Sequence, residues 1–429
     1  MKAILFSAIA VIVIACKGKQ KSETAEAPPM PADTATAETQ ELNLPPPYAT
    51  KSVRNMSEII AWPSGKKPIA PEGFVVSKFA DSLDHPRWVY QASNGDVFIA
   101  ELNSPHNTLE KITGKNKSAD QITLLRDADK DGVPELRTAF LKDLNKPFGM
   151  LIIGNNFYVA NTDGLVKFPY KPGSTFITEK GKQIISYPGG PRHWTRNIIA
   201  NADGSKIYIS IGSSSDHAED GIDKEQRRAM ILEINPDGSG EKVYASGLRN
   251  PVGMDWAPGT QILWTAVNER DELGDDLVPD YLTSVKEGGF YGWPYSYWGK
   301  HKDPRVKEEK PDLVDKAIIP DVPLDNHSAP LGLAFYTKTS FPAKYRDGAF
   351  IGQHGSWNKS TLAGYKVVFV PFKNGKPSGR PEDFLTGFIA DKSSNKVYGR
   401  PVGVTVLQDG SLLVADDGSN IIWRVAAKG

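Results

Sequence analysis

Hydrophobic and polar residues follow a short pattern that recurs along most of this chain. Each copy has a turn containing Gly, Asn or Asp, followed by a run of β-branched and aromatic residues that is typical of a strand. We find no long stretch with the apolar spacing of an amphipathic helix. The six copies lie at residues 93–101, 154–161, 202–212, 258–268, 346–355 and 408–418.

A second element, an apolar strand with a proline near its start, precedes most of these turns, as in "HPRWV" (85–89) and "GRPVGV" (399–404). Repeats of this size cannot bury their own apolar faces, so they predict a radial or stacked array. We therefore predict an all-β fold, a six-bladed β-propeller of four-stranded antiparallel blades. We expect residues 73–80 to pair with the last blade and close the ring. The wide gap before the fifth copy predicts an insertion at about residues 279–325. A β-sandwich explains this period poorly.

The N-terminal residues differ in composition from the rest. The apolar run 3–15 follows Lys2 and is too short to span a bilayer of roughly 30 Å, but it is typical of a secretory signal. "VIAC" resembles a lipobox and predicts that residues 1–16 form a lipoprotein signal with lipidation at Cys16. The alternative is an ordinary cleaved signal and a spare thiol. We expect an exported protein, lipid-anchored in the bacterial cell envelope (periplasm or outer membrane), that contacts a membrane only through this anchor.

Residues 17–60 are rich in Pro, Ala, Thr and Glu and poor in large apolar side chains. Such a segment cannot bury enough surface to order itself, so it predicts a disordered tether. The propeller domain would then comprise residues 61–429.

Charge composition restricts the function. The chain has 51 Lys and Arg against 51 Asp and Glu, so no long-range field attracts nucleic acid. Cations nevertheless recur at the starts of the inner strands, where carboxylates and amides at the ends of the second strands surround them. A ring of arginines suits a small ligand with several carboxylates, although single members could equally bridge neighbouring blades.

Three stretches carry a resemblance to a known family: "HWTRNIIANADGSKIYISIG" (193–212), "SGLRNPVGM" (246–254), and "VNERDELGDDL" (267–277) followed by "EGGFYGWPYSY" (287–297). The chain resembles the soluble sugar dehydrogenases that depend on pyrroloquinoline quinone (PQQ), in particular their sorbosone and pyranose dehydrogenase branch. The resemblance implies a six-bladed propeller with PQQ over the channel mouth and Ca²⁺ touching the quinone. It implies His193 as general base and Arg249 as the cation that stabilises the developing charge. Cofactor contacts would come from Arg87, Arg249, Asn250, His354 and Arg400.

The same resemblance places the catalytic Ca²⁺ on the backbone of Asn268, Glu269 and Arg270, with Asp275 and Asp276 bracing that loop. The implied activity is PQQ- and Ca²⁺-dependent oxidation of a sugar, an aldose, pyranose or sorbosone-like aldehyde, by hydride transfer to the quinone. An unidentified electron acceptor would reoxidise the cofactor.

Histidine is the usual base near neutral pH. Charges on Arg192 and Arg196 would keep His193 unprotonated if either side chain points towards it; the alternative is a structural imidazole.

A separate acidic stretch, "DADKDGVPE" (127–135), has the spacing of a calcium loop. Asp127, Asp129 and Asp131 would converge, with Glu135 replacing the glutamate missing from the twelfth position. This stretch is expected to form either a structural Ca²⁺ site or a solvated acidic turn.

Two other functions remain open. A Ca²⁺-dependent propeller lactonase or hydrolase would bind its metal through the side chains of Glu101, Asn161, Asn268 and Asp416. A non-enzymatic carbohydrate-binding propeller would leave His193 without a task.

Overall fold

The computed structural model describes residue 1 and residues 42–102, 118–190 and 192–428. The predicted signal peptide, Cys16 and most of the predicted tether lie outside these residues. No helix among the described residues is long and apolar enough to cross a membrane.

Six antiparallel sheets follow one another along the chain, and we number them as blades 1 to 6. Each begins with its innermost strand, and blade 3 gains a fifth, parallel strand at Gly289–Phe290. The strands are Pro86–Gln91, Val97–Glu101, Gln121–Arg126 and Leu136–Leu141 in blade 1; Met150–Ile153, Asn156–Asn161, Gly164–Pro169 and Lys182–Ser186 in blade 2; Ile198–Ala200, Ile207–Ile211, Met230–Ile234 and Lys242–Ser246 in blade 3; Asn250–Trp256, Leu263–Asn268, Pro279–Val285 and Val322–Asn326 in blade 4; Pro330–Phe335, Gly348–Gln353, Lys366–Lys373, and both Lys376–Pro377 and Glu382–Leu385 in blade 5; and Pro401–Val406, Leu412–Asp416, Ile421–Ala427 and Phe74–Ala80 in blade 6. The predicted six-bladed propeller is confirmed.

The last blade joins the two ends of the domain. Its outermost strand, Phe74–Ala80, precedes blade 1 in the sequence and pairs antiparallel with Ile421–Ala427. The predicted ring closure is therefore confirmed. Alternate residues of both strands are buried against a core that the fifth and sixth blades share.

Glycines in the inner strands let neighbouring blades approach one another. A Cβ at Gly253 of blade 4 would lie 2.7 Å from the backbone nitrogen of Leu333 in blade 5. A Cβ at Gly403 of blade 6 would lie 2.7 Å from the carbonyl oxygen of Arg87 in blade 1. Real Cβ atoms essentially never come this close, so glycine at these positions allows the inner strands to pack side by side around the axis.

The insertion differs from its predicted limits. Pro279–Val285 and Val322–Asn326 are the third and fourth strands of blade 4, so the insertion between them comprises residues 286–321. It contains a short hairpin, Ser296–Tyr297 with His301–Lys302, and the helix Pro311–Val314. The predicted start came too early because "PDYLTSV" (279–285) forms a strand of blade 4 and is not part of the insertion.

Residues 42–60 also differ from the prediction of a disordered tether. Leu42 and Leu44 pack against the core of blades 3 and 4, and Glu58–Ile59 pairs in parallel with Lys396–Val397. Composition misses these contacts because most of them are hydrogen bonds between propeller loops and the hydroxyl or backbone groups of this segment; the hydroxyls of Thr50 and Ser52, for example, accept bonds from loop N–H groups. Two single-turn 3₁₀ helices, Ile222–Glu225 and Ala343–Tyr345, complete the described elements.

Candidate active site

His193 lies just before blade 3, at the end of the propeller where the inner strands begin; we call this end the mouth. Its Nδ1 is 2.9 Å from both the carbonyl oxygen and the hydroxyl oxygen of Ser213. A carbonyl oxygen only accepts, so Nδ1 carries a proton and Nε2 presents a lone pair. No described residue forms a hydrogen bond with Nε2. The imidazole is thus oriented as a base.

Burial lowers the pKa of His193 to about 3, and the positive charge of Arg249 adds to this effect. Of the two neighbouring arginines in the sequence, Arg192 is exposed and pairs with Glu219. Arg196 is fully buried and donates to three backbone carbonyls of its own loop. The neutral imidazole therefore results mainly from burial and from Arg249, while Arg196 contributes least and has a structural role.

Gly212 explains how His193 and Asn250 come together. A Cβ on Gly212 would lie 2.6 Å from the Cβ of His193 and would collide with Oδ1 of Asn250. Oδ1 of Asn250 is buried and has no hydrogen-bond partner among the described residues. The next residue, Ser213, donates its N–H to the carbonyl of Arg249 at 2.7 Å. The absence of a side chain at Gly212 thus allows two predicted site residues, His193 and Asn250, to lie side by side.

Arg249 is 4% exposed and all of its nitrogens are engaged. Nη2 donates to Asp216 at 2.6 Å, and Nη1 donates to the carbonyl of Glu269 at 2.7 Å and to that of Asn268 at 3.4 Å. Asp216 accepts a further bond of 3.0 Å from Arg305 of the insertion. Burial would raise the pKa of Asp216, but Arg249 and Arg305 hold it far below its ordinary value. The guanidinium of Arg249 is therefore fixed in place.

The side chains at 268–270 serve the fold. Arg270 is fully buried and forms ion pairs of 3.0 Å with Glu269 and with Asp303 of the insertion. The side chain of Asn268 donates to the carbonyl of Pro330 at 2.7 Å. Among the described residues, Oε1 of Glu269 is buried without a hydrogen-bond partner, so this oxygen and the backbone carbonyls of the stretch are available for the metal that the resemblance implies.

The continuation of this stretch is braced from several sides; we call residues 268–276 the blade 4 loop. Asp275 accepts bonds of 2.5 Å and 2.6 Å from the N–H and the hydroxyl of Ser360, whereas the exposed Asp276 lies 3.5 Å from Lys359. His327 lies 3.2 Å from Asp271 and 3.0 Å from the carbonyl of Gly274, so both ring nitrogens donate. Burial opposes protonation of His327, but the bond to Asp271, the charges of Asp271 and Asp280 and the bond to Gly274 together raise the pKa.

A second group of site residues comes from blades 1, 5 and 6. Asp417 accepts a bond of 2.5 Å from Arg87 and one of 2.9 Å from Nε2 of His354. Burial, followed by the charge of Arg400, lowers the pKa of His354 to about 4. Arg400 donates from Nε and Nη2 to the carbonyls of His354 and Gly355, each at 3.1 Å.

Trp194 connects this second group to His193, its neighbour in the sequence. The guanidinium of Arg87 lies 5.0 Å from the centre of the Trp194 ring, and the ammonium of Lys146 lies 5.7 Å from it. Cations at such distances are attracted to the ring face. Trp194 therefore contacts the cations of blades 1 and 2 from the position that directly follows the predicted base in the sequence.

The carboxylates expected for a lactonase are occupied within the protein. Glu101 accepts bonds from the N–H of Asp84 and the side chains of Gln121 and Thr123. Asp416 accepts bonds from the N–H of Arg400 and the side chains of Ser419 and Trp423. Among the described residues, neither joins a cluster of potential metal ligands. Asn161 lies at the end of the second strand of blade 2, with a buried Oδ1 that has no partner.

The acidic stretch 127–135 lies between the third and fourth strands of blade 1, which places it opposite the mouth. Ligand atoms of Asp127, Asp129, Asp131 and Glu135 all lie within 4.8 Å of one another. Their carboxylates also accept backbone bonds within the loop, for example from Gly132 to Asp127 at 2.8 Å. The predicted convergence is present in the structure, but the presence of an ion stays a prediction.

Sequence reasoning missed Arg305, and it placed Asp216 and Asp271 only within ranges at the second-strand ends, without assigning them a role. These residues connect through contacts across 34 to 89 positions in the chain, and no local pattern marks those contacts. Trp194 carried a usable signal, because an aromatic residue between a histidine and an arginine at the mouth indicates a cation partner.

Comparisons with known proteins agree with the fold. The family model described as TrAA12-like matches residues 68–295 and 301–428. An uncharacterized protein of Borreliella burgdorferi is 28% identical over 371 residues, which cover 83% of this chain and 89% of that protein. A calcium structure of a Trichoderma reesei protein of Carbohydrate-Active Enzymes Family AA12 is similar with a TM-score of 0.71 and 18% identity, over 84% of this chain and 97% of that one. The holo form of the PQQ domain of pyranose dehydrogenase from Coprinopsis cinerea has a TM-score of 0.69 and 18% identity, over 86% of this chain and all of that one.

Proposed function

The chain belongs to the TrAA12-like family, and from that premise we propose that it is a PQQ- and Ca²⁺-dependent dehydrogenase that oxidises an aldose, pyranose or sorbosone-like sugar. The observation that carries this proposal is the geometry of His193. Its Nδ1 is committed to Ser213, its Nε2 has no partner among the described residues, and Arg249 is fixed nearby. A carbohydrate-binding propeller would have no use for a base held neutral in this way.

The residues at the mouth fit PQQ, which is a planar tricarboxylate with a quinone. Arg87 and Arg400 supply cations for its carboxylates, and Arg249, whose nitrogens are all engaged within the protein, adds a third permanent positive charge near the mouth. Among the described residues, the buried Nε of Arg87 has no hydrogen-bond partner, and Nη1 of Arg400 forms no hydrogen bond. Guanidinium nitrogens without partners suit an anionic ligand.

The blade 4 loop fits Ca²⁺ through backbone oxygens. The carbonyls of Asn268 and Glu269 accept bonds from Arg249, and each oxygen keeps a second lone pair for a cation. Calcium prefers oxygen ligands, and the carboxylates of Asp216 and Asp271 nearby add negative charge. Asn268, Glu269 and Arg270 would hold the metal by their backbone, with Asp275 tying the loop to blade 5.

When bound, PQQ would supply a quinone that accepts a hydride, and Ca²⁺ would supply a Lewis acid. His193 would accept the proton of the sugar hydroxyl at Nε2. Because Ser213 holds Nδ1, the ring cannot rotate or switch tautomer without losing that bond. Asn250 packs beside it, and Arg249 presents its positive charge on the same side of the mouth.

A titration of the full, metal-stripped chain with PQQ, with and without Ca²⁺, tests this proposal. The readouts are the absorbance of the cofactor and then dye reduction with a panel of aldoses and pyranoses. We expect Ca²⁺-dependent binding in the parent and in His193→Gln, with dye reduction about 10² to 10⁴ times slower in the variant, as for loss of a general base.

His301→Gln is the matched control, because His301 lies exposed on the insertion. It should reduce dye at the parental rate. The proposal fails if the parent does not bind PQQ at micromolar concentration, or if His193→Gln retains full activity.

We also propose that the chain is exported and lipidated at Cys16, on the strength of the "VIAC" motif and the apolar run before it. Labelling of cells with a radioactive fatty acid should mark the parent but not Cys16→Ser. Equal labelling, or a precursor of uncleaved size, would contradict this.

A further inference from the structure

A segment that precedes the first propeller strand runs along the rim of the mouth; we call residues 48–59 the strap. Its hydroxyl groups meet the blade 4 loop directly. Gly274 donates its N–H to the hydroxyl of Ser52 at 3.0 Å. The next two N–H groups, of Asp275 and Asp276, both donate to the hydroxyl of Thr50, at 2.9 and 3.3 Å. Two side chains of the strap thus satisfy three consecutive amides of the loop.

The strap also joins this loop to blade 5. Tyr48 donates its N–H to the carbonyl of Leu273 at 2.7 Å. Asn55 donates its N–H to the carbonyl of Trp357 at 2.8 Å. Asn358 completes the connection, because its side chain accepts a 2.8 Å bond from the N–H of Glu272 and donates to the carbonyl of Val53 at 3.4 Å.

The other end of the strap is held as firmly. Glu58 and Ile59 pair with Lys396 and Val397, immediately before the inner strand of blade 6. The strap therefore spans the rims of blades 4, 5 and 6, the blades that supply Arg249, His354 and Arg400. A flexible spacer would not need bonds to each of these rims.

We infer that Thr50 and Ser52 are positioning residues that hold the blade 4 loop in its metal- and cofactor-binding geometry. The inference rests on the proposed function, because the loop carries the carbonyls of Asn268 and Glu269 at its other end. Residues 274–276 have no strand partners, and their three amides would otherwise depend on water. Without the strap hydroxyls, the loop opens more often and binding must first close it.

Hydrogen exchange and cofactor titration on the full chain test this inference, using the double variant Thr50→Val, Ser52→Ala. The variant removes both acceptors and keeps the approximate shape of the side chains. In the metal-free, cofactor-free protein, we expect the amides of residues 274–276 to exchange about tenfold faster, since each lost hydrogen bond contributes up to about a factor of ten. The Ca²⁺ concentration for half-maximal PQQ binding should rise several-fold, whereas kcat at saturation stays within twofold.

Two matched variants separate positioning from general destabilisation. The single variant Thr50→Ser, with Ser52 unchanged, keeps both hydroxyls, so the amides of residues 274–276 should exchange as slowly as in the parent. Ser57→Ala removes a strap hydroxyl that forms no hydrogen bond among the described residues, and it should behave as the parent.

Unchanged exchange in the double variant, or equal acceleration by Ser57→Ala, overturns the inference. If exchange accelerates but the parent binds no PQQ, the strap still holds the loop and the proposed function is what fails. Faster exchange with unchanged calcium dependence in a PQQ-binding parent limits the strap to the fold and also overturns the inference.

Discussion

Replacing Arg249 by glutamine should raise the pKa of His193. After burial, the charge of Arg249 is the strongest influence that keeps this imidazole neutral. The substitution also leaves the carboxylate of Asp216 near the ring, with Arg305 as its remaining arginine partner. A neighbouring charge shifts a pKa by about 1 to 3 units. We therefore expect the His193 pKa to rise from about 3 to about 4 to 6, and burial keeps it below the ordinary value.

Nuclear magnetic resonance of histidine Cε1–H groups measures this directly. The chain has seven histidines, and His193→Gln identifies the relevant signal by its loss. In the cofactor-free parent, His193 should not titrate above pH 4.5, whereas in Arg249→Gln its midpoint should enter the accessible range. Arg192→Gln removes a nearby but exposed charge that pairs with Glu219, so it should change nothing.

A parental midpoint near 6.5 would refute the role of burial. An equal shift in Arg192→Gln and Arg249→Gln, or no shift in either, would refute the role assigned to Arg249. In the active enzyme, the acid limb of kcat/KM should move upward in parallel with the midpoint, because that limb reports groups of the free enzyme.

Three further predictions concern stability. Gly253→Ala should lower the free energy of unfolding in urea by about 1 to 3 kcal/mol, the cost of overpacking, because the new Cβ would lie 2.7 Å from Leu333. In the control Gly189→Ala, the nearest contact of the new Cβ is 3.4 Å, so the unfolding free energy should fall by less. The pKa of His327 is raised in the folded protein, so the protonated side chain stabilises the fold fully below about pH 6.5, and this stabilisation is lost as the pH rises through the pKa of the folded state. The difference in unfolding free energy between the parent and His327→Gln should therefore shrink in urea titrations from pH 6 to 8. Asp417→Asn removes the buried anion that pairs with Arg87 and accepts a bond from the neutral His354, and it should lower the unfolding free energy by about 3 to 5 kcal/mol, with a matching drop in melting temperature by calorimetry.

The sequence predicts the blades well because each hairpin is a local signal. A turn followed by alternating or continuous β-rich residues has the same meaning wherever it occurs in the chain. The inner strands add prolines and glycines, and Gly253 and Gly403 mark where neighbouring backbones meet. The ring closure by residues 73–80 could also be predicted, since an apolar strand before the first repeat needs a partner.

The site is only partly predictable. The resemblance identifies His193, Arg249 and Asn250 as site residues, and the structure brings them together around Gly212. The origin of the neutral imidazole could not be read from the flanking arginines, because side-chain direction decides it and Arg192 points to Glu219. Arg305 could not be found, since it reaches Asp216 only once the insertion has folded onto the mouth.

The strap shows why amino-acid composition alone mispredicts the structure of a segment. Residues 17–60 as a whole contain few large apolar side chains, which predicts disorder. Part of the segment is nevertheless ordered, because Thr50 and Ser52 offer acceptors to amides that lack partners. Hydrogen bonds between distant segments leave no periodic trace in the sequence.

The pairing of Phe74–Ala80 with Ile421–Ala427 has a consequence for biosynthesis. A ribosome delivers the first of these strands long before the second, so the outer strand of blade 6 cannot pair until residues 421–427 have been synthesised. Until then the early strand is an unpaired β-edge that can join another chain. Closing so long a loop is entropically slow compared with forming a local hairpin. Truncation of only a few C-terminal residues should therefore release the first strand as well as the last, and expose both ends of the domain to proteolysis together.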